Sequence, residues 1–299
     1  MSRREIECSA RGITRGSTIR GIVLRRATIL RMLARLGRLV LAVLLVFVRP
    51  MHARAADERD PLAKARSLYK EQQFEAAIAA AEQARLTQAR ADSADLIAAR
   101  AYLERFRASA ASDDLTSARD RLRRLDPVRF GARERVEFVV GLGEALYYEG
   151  AFGAAADVFG SIVARAEVLA PDARDRALDW WATALDRDAR ARPDLERQAV
   201  YQRVRDRMRQ ELVDRPESAT GAYWLSAAAL GQGDWQAAWD AAEAGWVRAP
   251  LGTDRGKSLR EDLDQLMQRG IVSERAKATA MSPDDLRGEW EQFKARWAR

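Results

Sequence analysis

PESATGAYWLSAAALGQGDWQAAWDAAEAGWVRAP, residues 216–250, is the stretch whose reading decides the fold. Its bounding prolines stand 34 residues apart, and what lies between them reads as two helices and a turn. Ser218 carries a hydroxyl able to accept from the open amides of a first helical turn, which places it as the cap of the first helix. Ala222, Leu225, Ser226 and Ala229 then recur at spacings of three and four and form one stripe. Gly231-Gln232-Gly233-Asp234 breaks that helix and Trp235 opens the second. There Ala238, Ala242 and Gly245 are small enough for two backbones to approach closely. Pro250 stops the chain from continuing, because it has no amide proton and clashes with the preceding turn.

A 34-residue helix-turn-helix period is that of the tetratricopeptide repeat. The unit resembles that family at Leu225, at Gly233-Asp234-Trp235 in the turn, at Ala238 and at Pro250. Alanines 222, 229 and 242 stand where the family carries large aromatics, and Trp224, Trp239 and Trp246 are expected to supply the missing volume. Weaker copies lie upstream. One begins near Asp60, with Leu68 to Phe74 crossing the turn and Ala77, Ala81 and Ala84 beyond it. A second starts around Asp92, with Ala99 and Tyr102, then Leu115, Ala118, Leu122 and Leu125. Its extra stretch, Arg105 to Asp113, either extends the first helix or forms a surface loop. The third carries Leu142-Gly143, Gly150-Ala151-Phe152, Ala155 and Phe159. A degenerate fourth runs from Asp172 to Pro216 and breaks at Arg192-Pro193-Asp194.

The resemblance implies an all-α fold, a right-handed superhelix of antiparallel helix pairs over residues 56–250, with residues 251–299 as terminal helices that cap it. In that family the first helix of each pair lines the concave surface, where a peptide or a partner helix lies. By matching position this surface takes in Tyr69, Lys70, Arg100, Val140, Glu144, Tyr147, Tyr223 and Leu230. Val140, Glu144 and Tyr147 share one helical face by spacing alone, as do Tyr223 and Leu230. Trp180 and Trp181 are adjacent and diverge by about 100° on a helix, so one of them is expected to be exposed as an anchor. Near the end, Leu259, Leu263 and Leu266 are in helical register and Gly270 is expected to stop that helix. Ser282-Pro283-Asp284-Asp285 then starts a last helix with Leu286, Trp290, Phe293 and Trp297 on one stripe.

The formal net charge of +7 belongs to one end of the chain. Of 51 basic and 44 acidic residues, twelve arginines and two glutamates lie in residues 1–55, leaving 39 and 42, a net charge of −3. The remainder is not basic, so nucleic acid is not an expected partner. Arg35 and Arg38 precede an apolar run, residues 39–48, followed by Ala53-Arg54-Ala55, the pattern of a secretory signal cleaved after Ala55. A start at Met32 would give a leader of ordinary length. Ten apolar residues fall short of the roughly 20 that span a bilayer. The expected compartment is therefore the periplasm, with an inner-membrane anchor through the uncleaved 39–48 segment as the alternative. The only cysteine, Cys8, and the only histidine, His52, both precede the cleavage point. Past it, disulfides, thiolate or imidazole metal sites, cofactors attached through either residue, and His- or Cys-dependent catalysis are all excluded. Carboxylate chemistry at Glu134, Glu137 and Glu144 is the route left, and nothing in the sequence buries one of them to separate it from the others.

The expected function is accordingly a non-enzymatic scaffold of the bacterial envelope that binds a protein or peptide on the concave face, without cofactor or metal. The alternative is a ligand-handling accessory of a periplasmic transport system. Exported helical repeat proteins of this size are similar to the T component of tripartite transporters, which leaves a small-molecule ligand and a homo-oligomer open.

Overall fold

Five helix pairs follow one another along the chain: α1 (Pro61–Lys70) with α2 (Phe74–Arg85), α3 (Ala91–Ser109) with α4 (Ser112–Leu122), α5 (Ala132–Tyr148) with α6 (Phe152–Val163), α7 (Pro171–Arg190) with α8 (Asp194–Asp214), and α9 (Ala219–Gly231) with α10 (Trp235–Arg248). The structure, a computed structural model, describes residues 60–165, 169–251 and 256–297. All regular elements among them are helical. The expected leader, its 39–48 run and the cleavage point after Ala55 lie outside the described residues.

Three pairs turn by the same backbone device. The amides of Gln72, Gly150 and Gly233 donate to the carbonyls of Tyr69, Tyr147 and Leu230 at 3.0, 3.0 and 2.9 Å. The amides of Gln73, Ala151 and Asp234, one residue later, donate to Leu68, Leu146 and Ala229 at 2.9, 2.9 and 3.0 Å. This double bond closes a helix end only if the residue between adopts a left-handed conformation, and residues 72, 150 and 233 have φ of 60°, 81° and 79°. Glycine takes that conformation freely at two of these turns; Gln72 takes it against its own Cβ. The α3/α4 pair turns differently. The Arg105–Asp113 stretch extends α3 to Ser109, and Ala110, at φ 55°, closes it with one bond to the Phe106 carbonyl at 2.7 Å.

The Ser218 cap appears where the sequence places it, and Asp234, which the sequence marks only as part of the break, adds a second. The Ser218 hydroxyl accepts from the Gly221 amide at 3.0 Å, and Asp234 accepts from the Ala237 amide at 3.1 Å. Each helix packs on its neighbours in the chain, and first helices also meet across pairs: α1 with α3, α3 with α5, and α7 with α9. Alanines 65, 77, 81, 84, 94, 98 and 99 are buried and let α1, α2 and α3 pack closely. Trp224, Trp239 and Trp246 are buried as expected, in place of the aromatics missing at 222, 229 and 242. Burying each contributes on the order of 2 kcal/mol.

The helix that Gly270 was expected to end does not end there. α11 (Gly256–Leu266) passes through a π-helical turn, Met267–Ile271, into α12 (Val272–Thr279). Gly270 serves packing instead: a Cβ at this position would stand 2.5 Å from the Leu230 Cδ2, so its absence lets α9 approach. The wider turn sends Met267, Ile271 and Val272 all into the core. The last helix, α13 (Pro283–Trp297), starts as read, with the Asp284 amide donating to the Ser282 hydroxyl at 3.2 Å. Leu286, Trp290 and Phe293 cover the tryptophans of α10, while Trp297, expected on the same stripe, is 53 % exposed. Among the described residues, no helix is long and apolar enough to cross a membrane.

Candidate functional site

Helical spacing puts polar and aromatic side chains in rows on the first three first helices. On α1 the row is Arg66 and Tyr69; on α3 it is Ser93, Arg100, Glu104 and Arg107; on α5 it is Glu134, Glu137, Glu144 and Tyr148. Because α1 touches α3 and α3 touches α5, the rows converge. At one end Glu134 is satisfied, accepting from the Arg66 Nη2 and from the Ser93 hydroxyl, each at 2.6 Å.

At the centre the groups meet without satisfying one another. The Arg100 guanidinium lies over the Tyr69 ring, 5.4 Å from its centroid. Its Nη2 stands 4.0 Å from the Glu144 Oε1, too far for a hydrogen bond. The Arg100 Nε is buried and has no acceptor, and Glu104 Oε2 is buried without a hydrogen-bonded donor although the Arg107 Nη2 stands 2.8 Å away. Glu144 is 6 % exposed and accepts no hydrogen bond among the described residues.

The electrostatics follow from this geometry. Burial pushes the Glu144 carboxyl up to about 7; the Arg100 charge opposes the shift, and Glu104 adds to it. Burial also pushes the Tyr69 phenol up to about 12, opposed by Arg100 and reinforced by Glu144, Glu104 and Glu137. Tyr148 is raised as well, by burial and then by Glu144. Arg100 differs in kind. Burial pulls a guanidinium down, yet Glu144, Tyr69, Glu137 and Glu104 together outweigh it and the proton is held more tightly. Burial therefore reaches Glu144 alone of the three glutamates considered in the sequence, because α1 and α3 lie across it; Glu137 stays half-buried with Arg133 at 2.9 Å.

Three of the sequence-derived candidates, Tyr69, Arg100 and Glu144, come together here. Lys70 is exposed beside them at the end of α1. Val140 is half-buried against the core. Tyr147 is half-buried among rings, 5.2 Å from Phe152 and 5.3 Å from Trp180. Tyr223 and Leu230 stand elsewhere, lining an open cleft of about 310 Å³ between α9 and α11 with Gln265, Leu266 and Arg269. The exposed tryptophan anchor is absent. Trp181 is 3 % exposed in the core, and Trp180 is half-buried, stacked on Phe159 at 5.6 Å. The spacing of Ala177, Leu178, Trp181 and Leu185 already pointed Trp181 inward. Glu104, Arg107 and Tyr148 were missed, although they continue the α3 and α5 rows at three- and four-residue steps. Among the described residues, no group of three or more His, Cys, Asp or Glu side chains is placed to hold a metal ion. No protein-family model, curated protein or solved structure matches the chain.

Proposed function

We propose that this chain is a non-enzymatic interaction scaffold built as a tetratricopeptide-like right-handed superhelix, exported to the periplasm with its leader removed after Ala55. Its partner is a protein or peptide lying along the first helices. The observation that carries this reading is the group at Tyr69, Arg100 and Glu144. Three helices bring charged and aromatic side chains to one place and leave the Arg100 Nε without an acceptor, which supports a surface formed before a partner arrives, with little ordering needed on binding.

A photo-crosslinking phenylalanine in place of Lys70, beside this group, tests the reading in the cell that makes the protein. The control is the same residue in place of Leu195, exposed on α8. A discrete adduct from position 70 and none from position 195 is the expected outcome. Equal labelling from both positions, or none from either, would count against a scaffold. The transport-accessory reading draws on a different observation, the cleft beside Tyr223, whose size suits a small molecule. Native mass spectrometry of the exported protein separates the two, since a small co-purifying mass belongs to the second reading only.

A further inference from the structure

We infer that the cleft between α9 and the π-helical turn binds a small amphiphilic carboxylate, its anionic end at Arg269 and its apolar body on Tyr223, Leu230 and Leu266. This rests on the reading of the cleft as a small-molecule site, names the class of molecule, and is independent of the scaffold. Arg269 is the charge on offer. It is exposed at the cleft, and its side chain has no hydrogen bond or ion pair among the described residues. Arg248, Arg260, Arg275 and Arg287 on the neighbouring helices are each tied instead, to the Pro216 carbonyl, the Trp246 carbonyl, Glu289 and Asp284. Asp262, the acidic residue of the same lining, already has an interaction of its own and stands seven residues before Arg269, about 10 Å along the helix. The unanswered charge in the cleft is therefore positive, and a planar guanidinium matches a carboxylate through two parallel hydrogen bonds.

The π-helical turn arranges this end of the cleft. Met267 and Ile271 go into the core, which leaves Arg269 and Gly270 of the same turn to the cleft, and turns of this kind recur at functional sites. Gly270 has no Cβ, so Leu230 packs directly against it and joins the wall. Tyr223, Leu230 and Leu266 are half-buried, packed on the core from behind, and give the cleft its apolar lining. Its volume of about 310 Å³ equals that of about ten waters at about 30 Å³ each. A ligand of about ten non-hydrogen atoms fills it, such as an acid of about eight carbons, whereas a helix about 10 Å across does not enter.

Calorimetric titration of the purified full chain with octanoate, octan-1-ol, octylammonium and acetate tests this. Octanoate is expected to bind about tenfold more tightly than any of the other three, which lack either the carboxylate or the apolar body. Arg269→Gln is expected to remove the preference for octanoate over octan-1-ol while leaving octan-1-ol binding unchanged. Gln265→Glu, which sets a carboxylate four residues before Arg269 to answer its charge, is expected to act in the same direction. Both positions are exposed, so neither change disturbs the core. Octanoate and octan-1-ol binding alike, or a preference untouched by both variants, would overturn the inference. If octanoate does not bind but native mass spectrometry finds a co-purifying small molecule of another class, the carboxylate is overturned and the cleft stands as a small-molecule site. Binding of no probe together with no co-purifying mass overturns both.

Discussion

Two glutamates are buried among the described residues, and they are opposites. Glu211 on α8 is 0 % exposed and is enclosed by cations. The Arg174 Nε and Nη2 both donate to its Oε2, at 3.1 and 2.6 Å; the Arg207 Nη2 stands 3.2 Å from the same oxygen; the Arg215 Nη1 reaches the Oε1 at 3.4 Å and passes on to Asp175 at 2.8 Å. Glu144 on α5 has one arginine, at 4.0 Å, and no hydrogen bond. Both carboxylates sit between packed helices, Glu144 against the neighbouring pair and Glu211 within the α7/α8 pair, so burial alone does not mark a site. What distinguishes the two is whether the chain has already supplied the partners that burial demands. Glu211 has them and locks α7 to α8. Glu144 lacks them and faces the surface on which we place a partner.

The largest effect should come from breaking the closed network. Glu211→Ala removes the carboxylate that Arg174, Arg207 and Arg215 share, leaving Arg174 with Asp214 and Arg215 with Asp175, and loss of one member of a buried charged group costs about 3–5 kcal/mol. Urea unfolding of the variant against the parent chain measures it. Glu144→Gln is the reciprocal test and carries the opposite sign. Burial holds the folded carboxyl at about 7 against the ordinary 4.5, so between those pH values the folded chain keeps a proton that the unfolded chain releases. The stability linked to that proton is complete below pH 4.5 and is lost as the pH rises through 7. Glutamine has no proton to lose. Arg100 and Arg107 pull the titration down, and Glu104 pulls it up. The variant should therefore match the parent near pH 4 and exceed it at pH 8, by an amount on the order of 3 kcal/mol. A variant weaker than the parent at pH 8 would mean that Glu144 is satisfied after all and that the comparison with Glu211 is empty.

The contrast between these glutamates could not be read from sequence, whereas the helices around them could. The helix pairs, the Ser218 cap and the turn at Gly233 rest on residues within one or two turns of each other, and local chemistry specifies them. The volume supplied by Trp224, Trp239 and Trp246 was legible because the alanines opposite are in the same unit. Gly270 was misread for the converse reason. A glycine near the end of an apolar stripe looks like a stop, and the cause of its presence is Leu230, on another helix forty residues earlier. Glu144 fails in the same way: its place on a helical face was visible, but the two helices that bury it were not. The surroundings of Glu211 were hidden too, since Arg174 is distant in the chain and the charged α8 reads as a solvated helix apart from Tyr201, Val204 and Met208 in step with it.

Hydroxyl deletions give the finest test of closed against open. Ser218 caps α9 directly above the Glu211 network: its oxygen lies 3.0 Å from the Gly221 amide, and the residue is itself buried. Ser218→Ala leaves that amide without a partner or access to water and should cost about 1 kcal/mol. Ser93 donates to Glu134 at 2.6 Å on the half-exposed rim of the first-helix face, where Arg66 remains as a donor and water can take the place of the hydroxyl. Ser93→Ala should cost about 0.5 kcal/mol or less. A double-mutant cycle then asks whether each serine belongs to its neighbouring carboxylate. Ser218→Ala with Glu211→Ala should depart from additivity by about 0.5 kcal/mol or more, because both changes loosen the same junction of α8 and α9. Ser93→Ala with Glu144→Gln should add within error, because the satisfied Glu134 end of the row and the unsatisfied Glu144 centre share no hydrogen bond among the described residues.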